Sequence, residues 1–212
     1  AAIVIGPAMI RSPNFDVARD LAPVARGVSS PHVLLANPKS GLRTLDDLIQ
    51  SGRKEPGKHA FGSAGTGTTP YLGVKMLEVA TGARFQHVPY KGLAPAFQDL
   101  LGGQLSFVFS DLASAAPHFE RLRPLAVSSD VPSLPNVPSF AKAGYPSVDP
   151  NNNFSVLAPA ATPAPIIARM SQEIQAAMRN PSVAARLDKL GLFPVVDTPE
   201  TYASSLKTER AF

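Results

Sequence analysis

The stretch richest in chemistry is Gly62-Ser63-Ala64-Gly65-Thr66-Gly67-Thr68-Thr69-Pro70. Gly62, Gly65 and Gly67 let neighbouring backbone N–H groups, Ala64 among them, turn toward one point. The hydroxyls of Ser63, Thr66, Thr68 and Thr69 add donors, and the helix expected to follow presents its unpaired N-terminal amides at the same place. Such a cradle takes a carboxylate or phosphate without any fixed positive charge, each charge-assisted bond contributing about 1.5–3 kcal/mol. The same residues also read as an ordinary glycine-rich turn ahead of a capped helix. Three familiar motifs fail here. A P-loop needs a lysine after Gly67, where Thr68 stands. A dinucleotide fingerprint starting at Gly65 ends on Pro70 instead of glycine. A nucleophile elbow needs Gly-x-Ser-x-Gly, but Ser63 directly follows Gly62.

Two further places end a strand where ligands gather in open α/β sheets. Pro89-Tyr90-Lys91-Gly92 sets an aromatic and a cation on a turn, and Phe109-Ser110-Asp111 closes a strand so that Ser110 and Asp111 can face a cleft. Each has a plain structural alternative: Tyr90 as a half-buried core edge, Lys91 as a solvated charge, Asp111 as an N-cap on a short helix toward Ala116. His32, His59, His87 and His118 have no carboxylate or serine at a telling spacing and read as structural. Asn151-Asn152-Asn153 reads as a polar loop.

Composition narrows the classes. The chain has 212 residues, 44% of them hydrophobic and 17% charged, which is globular and not disordered. Its longest apolar runs are too short to span a bilayer as helices. No cysteine and four scattered histidines point away from disulfides, thiolate chemistry and metal ligation, so no cofactor or metal is expected. The net charge of +4 is spread without runs or interleaved aromatics, which argues against nucleic acid and suits small anions. The 22 prolines are scattered as turn punctuation. The opening lacks a basic segment followed by a long apolar one, so we expect either a mature chain whose signal peptide has been removed or a truncated one.

Short apolar strands alternate with amphipathic helices, an α/β pattern. Strands are expected at Ala1–Ile5, Val33–Ala36, His59–Gly62, Phe85–Val88, Leu105–Phe109, Leu125–Val127, Phe154–Leu157 and Val195–Val196. Helices are expected from Leu45 to Gln50 capped by Thr44, along Tyr71, Val74, Leu77 and Val79 to Gly82, and from Pro95 to Leu101. Val131 to Asn153 reads as irregular, with one short helix at Ser139 to Ala143. Beyond it, Ile166, Ile167, Met170, Ile174 and Met178 mark one helix face, then come helices from Pro181 to Leu190 and from Pro199 to the end.

In order, Phe15-Asp16-Val17-Ala18-Arg19-Asp20-Leu21-Ala22-Pro23-Val24, Pro56-Gly57-Lys58, Phe61 to Thr69, His87-Val88-Pro89-Tyr90-Lys91-Gly92, Asp99 to Gln104, Pro135 to Ser139 and Leu157-Ala158-Pro159 resemble the substrate-binding proteins of tripartite tricarboxylate transporters, the Bug receptors. The resemblance implies a periplasmic-binding-protein-like fold of type II, a two-domain flytrap with residues 1–36 and 150–212 in domain 1 and 37–149 in domain 2. It implies a periplasmic, monomeric receptor, not an enzyme, that captures a small organic acid between its domains and delivers it to membrane permease subunits. The loop residues Ser63, Ala64, Gly65, Thr66, Gly67, Thr68 and Thr69, with Tyr90, Ser110 and Asp111, would line the ligand. Family members open with a further strand–helix unit, so domain 1 is expected to be incomplete at the N-terminus. The competing class is an α/β hydrolase or transferase using Ser63 or the threonines; no base stands at a recognisable spacing from Ser63.

Overall fold

The computed structural model describes residues 16–210, and the strand expected at Ala1–Ile5 lies outside them. The described residues divide into two compact units, residues 16–30 with 152–210 and residues 31–151.

The second unit is built on a five-stranded sheet in the order β4-β3-β5-β2-β6. Its strands are β2 (His32–Ala36), β3 (Ala60–Ser63), β4 (Gln86–Pro89), β5 (Phe107–Asp111) and β6 (Arg123–Val127). β3 pairs in parallel with both β4 and β5, while β2 runs antiparallel to β5 and β6. Every residue of β2 is buried, as a strand covered on both faces must be. β2 therefore sits inside this sheet, and the boundary falls at Ser30/Pro31 and not after Ala36.

Helix α2 (Leu45–Lys54) starts where Thr44 and Asp47 form a capping box: Thr44 Oγ1 accepts the Asp47 amide and Asp47 accepts the Thr44 amide. Its apolar residues Leu45, Leu48 and Ile49 join Phe61, Val74, Leu77, Phe107 and Phe109 in the main core. Helix α3 (Thr69–Thr81) covers the same face and stops at Gly82, which adopts φ 74°. Its buried stripe holds Val74 and Leu77, but Val79 is 86% exposed and lies off the face expected for it. α3 approaches β5 closely through Gly73, where an added Cβ would fall 2.3 Å from Phe109 Cε1. Helix α4 (Leu93–Gly102) buries Ala96, Phe97 and Leu100, and Gly103 at φ 89° ends it. Helix α5 (Leu112–Ala115) is short and capped by Asp111. Residues 131–150 are irregular; the expected helix at Ser139 to Ala143 is a run of turns, though Phe140 reaches the core.

In the first unit, α1 (Val17–Asp20) leads into β1 (Leu21–Ser30), the centre of a three-stranded sheet in the order β7-β1-β8. β7 (Asn152–Pro159) runs antiparallel to β1 from Leu21↔Pro159 to Ser30↔Asn152, with register shifts at Pro23/Ala25 and Arg26/Val28. β8 is Phe193–Pro194, two residues before the strand expected at Val195–Val196. Helix α6 (Ala164–Met178) packs Ile167 and Ile174 onto Val24 and Ala158. Ile166 and Met170 remain exposed, so the five apolar residues of this helix do not form one buried face. Helices α7 (Pro181–Asp188) and α8 (Pro199–Arg210) follow, α8 anchoring Tyr202, whose hydroxyl donates to Ser155 Oγ at 2.5 Å.

Candidate functional site

Parallel pairing of β4, β3 and β5 brings their carboxyl ends to one edge of the sheet. Ser63 stands opposite Pro89, so the loop after β3 and the Tyr90 turn after β4 are neighbours there. β5 runs the same way beside β3 and delivers Ser110 and Asp111 to this edge. The three separate sequence stretches meet, at the place where open α/β sheets hold ligands.

The loop is folded around the carbonyl of Gly65. That oxygen accepts Thr68 Oγ1 at 2.7 Å, Ser63 Oγ at 3.2 Å and the Thr68 amide at 3.4 Å. Gly65 and Gly67 take φ 112° and 83°, values open to glycine and strained for other residues. The amides of Ala64, Thr66 and Gly67 have no partner among the described residues. Thr68, the N-cap of α3, makes no side-chain cap because its hydroxyl turns back to Gly65, which leaves the helix start free of a capping side chain. No charged side chain occurs between Gly62 and Val74. The cation that follows, Lys75, is paired with Glu78 at 2.8 Å and lies over the rings of Tyr71 and Phe61. The arrangement is a neutral, preorganised set of donors.

Each remaining candidate has a structural partner. Tyr90 donates its hydroxyl to Asp99 Oδ2 at 2.6 Å; burial first, then that bond, pushes its pKa up to about 12. Its amide donates to Ser63 O at 2.9 Å, and its ring edge lies beside Gly62, where a Cβ would meet Leu105, Ala96 and Tyr90 within 3.1 Å. Ser110 is fully buried and donates to Asp111 O, while Asp111 caps α5 by accepting the Ser114 amide at 2.9 Å.

One residue that sequence reasoning took as merely structural belongs to this edge. His87 Nε2 lies 2.8 Å from Ser63 Oγ, so Ser63 does have a histidine partner. Phe61 and His87 stand opposite in the β3–β4 ladder, which places His87 diagonally across from Ser63 on one face; nothing in the linear spacing announces a parallel pairing. His59 likewise bridges Ser51 Oγ at 2.8 Å and Ser106 Oγ at 3.0 Å. Asn151 accepts from Ser128 and donates to Asp149, so it is more tightly held than a loose polar loop. Among the described residues no cluster of three His, Asp or Glu offers a metal site, and no helix is long and apolar enough to cross a membrane.

The fold is that of the periplasmic binding proteins of type II. A protein solved as a periplasmic transporter aligns over 99% of this chain and 72% of its own, with a TM-score of 0.80 at 30% identity. An R. palustris protein solved with adipate aligns over 95% of this chain and 69% of its own, with a TM-score of 0.77 at 29% identity. The chain belongs to the tripartite tricarboxylate transporter family receptors, whose family model matches residues 1–209. Protein BugT of Bordetella pertussis is 33% identical over 94% of this chain, which spans 63% of BugT.

Proposed function

We propose that this chain is the greater part of a periplasmic receptor that captures a small carboxylate or dicarboxylate and presents it to the permease of a tripartite tricarboxylate transporter. The observation that carries this reading is the loop after β3, with the amides of Ala64, Thr66 and Gly67 unpartnered among the described residues and no side-chain cap on α3, at the carboxyl edge of the sheet. Family membership and the adipate bound by the R. palustris relative support it. In this reading Ala64, Gly65, Thr66, Gly67 and Thr69 form the wall that grips one carboxylate. Ser63 and Thr68 hold that wall in shape, and Tyr90, Ser110 and Asp111 frame it. Thr68 contributes its hydroxyl and amide to the Gly65 turn, so Thr68→Pro would act by breaking that turn and not by removing a ligand donor.

The state of Ser63 supports a non-catalytic reading. The contact with His87 is what a hydrolase would need, but the Ser63 side chain is fully buried and its oxygen is shared among three neighbours. A nucleophile must reach its substrate.

Isothermal titration of the protein with adipate, malate and other mono- and dicarboxylates tests the reading. Saturable binding to at least one acid, weakened by Gly67→Pro, is the expected result. Absence of binding across the panel, or Ser63-dependent turnover of an ester, would overturn it.

A further inference from the structure

The Ser63 hydroxyl has three contacts: Gly65 O at 3.2 Å, the Gly65 amide at 3.2 Å and His87 Nε2 at 2.8 Å. A hydroxyl has one proton and two lone pairs. The amide of Gly65 can only donate and its carbonyl can only accept. With the hydroxyl proton directed to Gly65 O, both lone pairs receive N–H groups, and Nε2 of His87 must carry a proton. The opposite assignment, Ser63 donating to His87, withdraws a donor from the Gly65 carbonyl around which the loop is folded.

We propose that His87 is a positioning residue of the carboxylate loop, holding Ser63 so that the Gly65 turn keeps its shape, and that a charged His87 tightens the loop's grip on an anion. This rests on the carboxylate reading of the loop. The neutral Nε2–H tautomer already makes the bond to Ser63. Protonation adds a positive charge beside a cradle that has none of its own, and an anion in the cradle and an imidazolium behind it stabilise each other. The groups facing His87 are few. From α3 come Tyr71, its ring 4.8 Å away, and Lys75, whose charge is shared with Glu78; from β3 come Phe61, at 5.0 Å, and Ser63. Burial first, then Lys75, lowers the pKa of His87 from its ordinary value. An anion in the loop acts against both.

The test uses the full chain with adipate as the probe. His87→Gln keeps a donor without a titrating charge, and His87→Phe keeps the aromatic packing without the bond. Comparing each variant with wild type at the same pH cancels the ionisation of adipate itself. Between about pH 7.5 and 5.5, the ratio of wild-type to His87→Gln affinity should rise several-fold, and His87→Phe should bind at least about tenfold more weakly throughout. Nitrogen NMR of the imidazole should show the Nε2–H tautomer at high pH and a pKa that rises when adipate is added. A pH-independent ratio, wild-type affinity in His87→Phe, or an unprotonated Nε2 in the neutral ring would overturn the proposal while leaving carboxylate binding intact. Failure of wild type to bind adipate or any other acid would instead overturn the carboxylate reading, and with it the proposal.

Discussion

Replacing Gly65 by alanine separates the conformation of the loop from its packing. No atom lies within 4 Å of a Cβ built on Gly65, so the substitution meets no steric barrier. Its cost is conformational: at φ 112° an L-residue is disfavoured by about 1–2 kcal/mol. The chain can bear that strain or escape it by rotating the turn. Escape gives up the bonds from Thr68 Oγ1 and Ser63 Oγ to Gly65 O, each contributing about 0.5–1.5 kcal/mol. Either way the lost free energy is about 1–3 kcal/mol. If the turn rotates, the amides on either side no longer converge, and affinity for a carboxylate falls about tenfold to a hundredfold. If the strain is borne, affinity falls little and the loss appears as a melting temperature lower by a few degrees. Titration calorimetry and a thermal melt of the same preparation read both quantities. The expected result is the first, because the loop is partly exposed and its neighbours can yield. A variant with wild-type affinity and a wild-type melt would refute the claim that the positive φ of Gly65 shapes the site.

Gly73→Ala should act oppositely, through packing. Its Cβ would lie 2.3 Å from Phe109 Cε1 and 2.9 Å from Pro150 Cγ, so we expect about 1–3 kcal/mol of destabilisation in urea unfolding; a neutral variant would show that α3 slides freely on β5. His59 gives a pH dependence. Burial first, then Lys58, lowers its folded pKa, so below about pH 6.5 the unfolded chain takes up more protons than the folded one. Stability should be full above that pH and decline as the pH falls, with His59→Gln showing a shallower decline in melting temperature; equal slopes in both proteins would count against it.

What the sequence made legible follows from which physical signals are local. Thr44 before α2 and Gly82 after α3 are caps, set by residues a few positions apart, and stand where the pattern predicts; Asp111 takes the N-cap alternative offered for it. Ser63 to Thr69 was readable as a loop of donors for the same reason. β1 was not readable: Pro23, Gly27 and its two register shifts break the alternation that marks a strand, and pairing with β7, more than 120 residues away, supplies its order. Val79 and Ile166 sit at positions compatible with a helical stripe, but their exposure depends on which neighbours the fold brings. The role of His87 has no local signal, because its partner Ser63 lies 24 residues earlier, across a parallel ladder.

If the loop takes a carboxylate as proposed, its chemistry suits a receptor that releases what it binds. A buried lysine or arginine at this edge would attract a carboxylate strongly, but it would have to be desolvated without a partner whenever the ligand left. Here Lys75 is paired with Glu78 and rests over two rings, so it is held with or without an anion in the loop, and Lys91, on the turn after β4, is exposed rather than buried. The donors that remain in the loop are amides, and the Ser63 and Thr68 contacts to Gly65 hold the turn that carries them. On the carboxylate reading, affinity comes mainly from geometry, and the same geometry would take any small acid whose carboxylate fits. Selectivity among acids must come from what touches the rest of the ligand, so substitutions within the loop should change affinity for all acids by similar factors. Titration of Gly65→Ala with adipate and malate checks this: equal fold losses are expected, and a loss confined to one acid would place selectivity in the loop itself.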